Sequence, residues 1–146
     1  MTKKLMDQKG RHVGVLISDG DDNSSDKSID ETIAMAQKTD TVIYAVSTNS
    51  PKLFGSESDR GNKNLKSLAE ETGGKLFTPT KIEDLTKSFL EITNELRSQY
   101  TLAYRSTNTK RDGTYRRIRI TVANKQFKVR ARDGYYAFRT AANAPS

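Results

Sequence analysis

The 146-residue chain carries 25 Lys and Arg against 18 Asp and Glu, a formal net charge of +7. Its length suits one domain, and 34% apolar residues permit a core of modest size. The chain has no cysteine, which excludes disulfides, thiolate metal sites and cysteine nucleophiles, and no stretch approaches the roughly 18 apolar residues of a membrane span.

The charge is unevenly placed. Residues 1–60 sum to −2, residues 61–98 to zero and residues 99–146 to +9. Such asymmetry implies two structural layers with different surroundings. The basic start, Met1 to Asp7, leads into no apolar run, so no signal peptide is read there. Met1 to Gln8 reads as the remnant of a helix.

Val13 to Ile17 is a short apolar strand that ends in Ser18-Asp19-Gly20 and an oxygen-rich loop, Asp21-Asp22-Asn23-Ser24-Ser25. In open parallel sheets ligands bind beyond the carboxyl ends of the strands. Carboxylates there suit a hard divalent cation such as Mg²⁺, so Asp19, with Asp21 and Asp22 as possible additions, forms the candidate metal site. A polar turn explains the same residues without a metal. For Asp21 and Asp22 the solvated turn is the preferred reading.

Ser28-Ile-Asp-Glu31 has the spacing of a capping box, opening a helix whose Ile29, Ile33 and Ala36 share a face up to about Thr39. Thr41 to Ser47 is a β-branched and aromatic strand, and Thr48 to Lys63 a polar loop. A helix carrying Leu65, Leu68 and Ala69 stops at Gly73-Gly74, followed by a short strand, Lys75 to Thr78. Thr80 to Glu83 is a second capping-box pattern, before a helix with Ile82, Leu85, Phe89, Ile92 and Leu96 at helical spacing. Three alternations of strand and helix predict an α/β fold: a partial doubly wound, Rossmann-like parallel sheet of three βα units over residues 1–98.

Residues 99–139 change character, and a small antiparallel β extension is expected. Tyr100–Tyr104, Tyr115–Val122 and Gln126–Arg132 read as strands, with Asn124-Lys125 as a tight turn. Arg117, Arg119, Arg130 and Arg132 fall on one face, while Ile118, Ile120, Phe127, Val129 and Ala131 fall on the other. That basic face is a candidate surface for polyanions or nucleic acid, weighed against a solvated edge kept soluble by arginine, which is preferred. Residues 140–146 read as a frayed tail.

Catalysis finds little support. His12, the single histidine, opens a strand without a sequence-level partner, Ser18 lacks the Gly-x-Ser-x-Gly elbow, and Gly73-Gly74 is a helix stop rather than a phosphate loop. A non-enzymatic role is expected.

The strings VLISDGDD, TVIYAVST, LKSLAEETGGKLF, LTKSFLEITNELRSQYTLAY, YRRIRITV and VRARDGYYA, in this order from about Arg11 to Ala137, resemble bacterial von Willebrand factor type A (VWA) proteins of the acidobacterial VWFA-related type. The resemblance implies a metal-ion-dependent adhesion site that grips a protein ligand, in proteins that are largely exported. Of the family's metal-binding elements, Asp19 in Ser18-Asp19-Gly20 is matched. The Asp-x-Ser-x-Ser loop has no counterpart, and the second-loop threonine cannot be assigned. The chain thus resembles the C-terminal half of the domain plus its extension, and a truncated frame or fragment is the favoured explanation. On this view a divalent-cation site is weak or incomplete. The first strand then shows an open apolar edge, an aggregation hazard, unless the missing N-terminal half or another chain pairs with it.

Overall fold

A computed structural model describes residues 12–19, 28–48 and 59–137. Its first part is an α/β unit with the element order β1 (His12–Ser18), α1 (Ile29–Lys38), β2 (Thr41–Ser47), α2 (Asp59–Thr72), β3 (Leu76–Phe77) and α3 (Ile82–Arg97). The three strands form one parallel sheet in the order β1-β2-β3. The pairing of β1 with β2 runs unbroken from His12 opposite Thr41 to Ser18 opposite Ser47. A separate antiparallel ribbon joins β4 (Tyr115–Arg117) to β5 (Gly134–Tyr136).

Alternation along β2 sends its side chains to two layers. Tyr44 and Val46 pack with Phe77 and with Ile92 of α3, flanked by Val42, Leu85 and Leu96. Ala45 faces the other way, onto Leu65 and Ala69 of α2. Here α1 lies beside α2, and Gln37 Nε2 donates to the Glu71 carbonyl at 3.2 Å. Helices thus cover both faces of β2, as a parallel sheet requires, and the expected partial doubly wound architecture is present.

Local chemistry explains the element ends. Ser28 and Glu31 make both bonds of a capping box, each 3.2 Å. Gly73 follows α2 with φ +92°, the left-handed region where a Cβ is costly. Gly74 serves close approach instead: a Cβ there would lie 2.0 Å from the Ile43 carbonyl oxygen. The hydroxyl of buried Thr72 accepts from Ile43 N–H at 3.0 Å, which supplies β2 with a partner just before the two-residue β3 begins.

Several expectations are corrected. The second capping box does not form: Lys81 is the N-cap of α3 without a side-chain bond, and Thr80 Oγ1 donates instead to Asp84 Oδ2 at 3.2 Å. Helix α2 begins at Asp59, within the stretch read as loop. Tyr100–Tyr104 is not a strand, Tyr115–Val122 is a strand only to Arg117, and Gln126–Arg132 is irregular. The partner of β4 is β5, Gly134–Tyr136, and not the Gln126–Arg132 segment. Phe127 and Val129, expected to face inward, are exposed. The reason is packing: alternation creates an apolar face, but among the described residues no helix or strand covers Phe127 or Val129, and a two-stranded ribbon alone is marginal.

The ribbon is anchored to the helical layer. Tyr115 rests against Tyr136 with ring centroids 5.2 Å apart, and Gln37 Nε2 donates to the Tyr115 hydroxyl at 3.3 Å. Asp133 N–H donates to the Glu71 carbonyl at 3.3 Å. Among the described residues no helix is long and apolar enough to cross a membrane.

Candidate functional site at the carboxyl rim

The adjacent parallel strands β1 and β2 end level with each other, and both end in serine, Ser18 and Ser47. Thr48 N–H donates to the Ser18 carbonyl at 2.9 Å, holding the two ends together. Asp19 follows directly and is exposed at the carboxyl rim of the sheet, the position expected from its sequence. Ser47 is buried, and its Oγ donates to Asn62 Oδ1 of α2 at 2.6 Å. The rim therefore gathers one carboxylate, two hydroxyls and one carboxamide. Ser47 and Asn62 escaped sequence reasoning, although the shared serine ending, Ile17-Ser18-Asp19 beside Val46-Ser47-Thr48, was a usable sign.

Asp21 and Asp22 lie outside the described residues. Among the described residues no group of three or more His, Asp or Glu side chains is placed to hold a metal ion. Magnesium requires near-octahedral coordination by about six oxygens, several from water. One carboxylate with neutral oxygens already engaged in protein hydrogen bonds does not make a tight cation site. His12 lies at the opposite end of β1, where Nδ1 is 2.9 Å from the Thr39 carbonyl, a structural contact that links the strand to the end of α1.

The basic face is divided by the fold. Arg130 is ion-paired with Glu95 of α3, and Arg132 with Asp40, in the turn between α1 and β2, at 2.5 Å. Arg117 and Arg119 stay exposed and line a groove of about 450 Å³ with Ile118, Ile120, Val129 and Arg132. Four arginines aligned in sequence thus become two surface ion pairs and two solvent-facing cations.

Electrostatic perturbation concentrates where the ribbon docks. Burial, then the carboxylates of Asp133 and Asp30, raise the pKa of Glu71. Burial also raises that of the Tyr115 hydroxyl, opposed by its bond with Gln37. Asp112, which accepts from the Thr114 hydroxyl and N–H, is lowered to about 2. None of these groups adjoins the carboxyl rim, so they describe anchoring and turn formation rather than a reaction centre.

No family model and no curated protein matches the chain. Among solved structures it is similar to an uncharacterized membrane spanning protein from Vibrio fischeri, at 20% identity and a TM-score of 0.50. That similarity covers 58% of this chain and 47% of the other, so the chain spans less than half the length of this neighbour. It bears on the fold alone.

Proposed function

We propose that this chain is a non-enzymatic binding module of VWA type, which grips an acidic group of a protein ligand through a divalent cation held at the carboxyl rim of its parallel sheet. The observation that supports this reading is Asp19, exposed immediately beyond the edge strand and beside the ends of β2 and α2. The described residues supply a single carboxylate for that cation, so its binding is weak. The chain's own contribution is to hold Asp19 at the strand end, directly after Ser18, whose register partner Ser47 bonds Asn62.

Thermal melting of the full chain with about 10 mM Mg²⁺ or Mn²⁺ tests the reading. A cation bound only by the folded state through a weak site raises Tm by about 1–3 °C, and Asp19→Ala removes the rise. An equal rise in Asp19→Ala refutes the assigned role.

The groove beside Arg117 and Arg119 supports a second reading, polyanion binding. It predicts DNA or RNA affinity that falls steeply with salt and drops in the Arg117→Ala/Arg119→Ala double variant. Binding that is absent or insensitive to salt removes it.

A further inference from the structure

We propose that two copies of this chain associate edge to edge through β1, antiparallel about a two-fold axis at Val15, giving one continuous six-stranded sheet. The seven residues of β1 include no Asp, Glu, Lys or Arg, the composition of an interior strand of a parallel sheet rather than of a protected edge. Yet among the described residues β1 is at the end of the strand order, and Val15 and Ile17 are 45% and 56% exposed.

The hydrogen-bond pattern fixes which main-chain groups point outward. Thr48 N–H bonds the Ser18 carbonyl, so Ser18, and by alternation Leu16 and Gly14, direct their main-chain groups toward β2. Those of Val13, Val15 and Ile17 point away from it, toward the open edge. An antiparallel neighbour bonds residues that face it in this way. Centred on Val15, a second copy sets Val15 against its own counterpart and Val13 against Ile17, so all three outward residues become bonded pairs.

Side chains favour the same register. It places Gly14 opposite Leu16, a vacancy opposite a bulky residue, and a Cβ on Gly14 would meet nothing closer than Ile43 Cγ1 at 3.9 Å within its own chain. Val13, Val15 and Ile17 lie level with Val42, Tyr44 and Val46, so the seam extends the core layer beneath α3. Phe89, exposed on α3, is about 200° around the helix from Glu91. Glu91 is ion-paired with Lys75, next to β3, which places Phe89 on the flank toward β1. A second copy fits better than a charged partner strand, because an uncharged seam brings no like charges together while the excess positive charge belongs to residues 99–146.

Sedimentation of the full chain between about 1 and 100 μM tests this without reference to cations, so its outcome is independent of the role given to Asp19. The expected result is a closed dimer. Val15→Lys sets like charges against each other on the axis and weakens association by about 100-fold or more. Gly14→Val fills the space for the opposing Leu16 and weakens it by at least about tenfold, with an unchanged far-ultraviolet spectrum and an undiminished Tm measured at a concentration where the chain is monomeric. A monomer at every concentration, open-ended assembly, or a dimer indifferent to Gly14→Val overturns the proposal. A monomer that takes up an apolar strand from a different polypeptide at this edge does so equally.

Discussion

Strands β1 and β2 are matched in length, in parallel register and nearly in composition, His-Val-Gly-Val-Leu-Ile-Ser beside Thr-Val-Ile-Tyr-Ala-Val-Ser. Val46 is completely buried, while its register partner Ile17 is 56% exposed. Both are β-branched residues in a strand, and only their surroundings differ. β2 has a strand on each side and α2 and α3 across its faces; β1 has one neighbouring strand among the described residues. Apolar composition shows what a strand needs, and neighbours decide whether the need is met.

The sharpest way to break the contrast uses two glycines. A Cβ on Gly74 would collide with the main chain of Ile43, which cannot move without parting β2 from its neighbours, whereas Gly14 has room. Gly74→Ala is therefore expected to lose about 3 kcal/mol or more, or fail to fold. Gly14→Ala in dilute monomer is neutral or gains about 0.5 kcal/mol by restricting the unfolded chain. Denaturant titration of both variants checks this.

Side-chain truncation comes next. Val46→Ala leaves a cavity between β2 and α3 and costs about 2 kcal/mol. Val15→Ala, measured below the dimer concentration, costs less than about 1 kcal/mol, since water already reaches that side chain. Equal losses at the two sites would mean that β1 is covered in the monomer.

The smallest effect concerns the anchoring of the ribbon. The pKa of Glu71 is raised by burial and by the Asp133 and Asp30 carboxylates, so the folded protein binds this proton more readily than the unfolded chain. Its contribution therefore makes stability fall as pH rises from the ordinary carboxylate value through the raised one. Glu71→Gln is expected to be slightly more stable near neutral pH and to flatten that part of the profile; a variant less stable at neutral pH would contradict the assignment. Thermal melts between about pH 4 and 7 decide.

Much of the α/β unit was legible because its signals are local. Ser28 and Glu31 form their capping box within one turn, Gly73 stops a helix by its own backbone freedom, and the stripe of Leu85, Ile92 and Leu96 needs only helical period and one apolar surface. Thr80 and Glu83 show the limit: the same spacing made no box, because the N-cap is Lys81, one residue past the position the pattern requires. Asp19 was placed correctly at a strand end, yet Ser47 and Asn62 reach the rim only through strand pairing and helix docking.

By itself the sequence determined the alternation of strands and helices through β2 to α3, the apolar faces, and the carboxylate at the end of β1, since periodicity, glycine and capping act over a few residues. Only the tertiary structure decided which apolar strand is buried, how the aligned arginines are divided between Glu95, Asp40 and solvent, and where the C-terminal segment pairs. Those outcomes depend on surfaces brought together from distant parts of the chain. An alternating strand pattern states a preference for burial without supplying the partner that satisfies it.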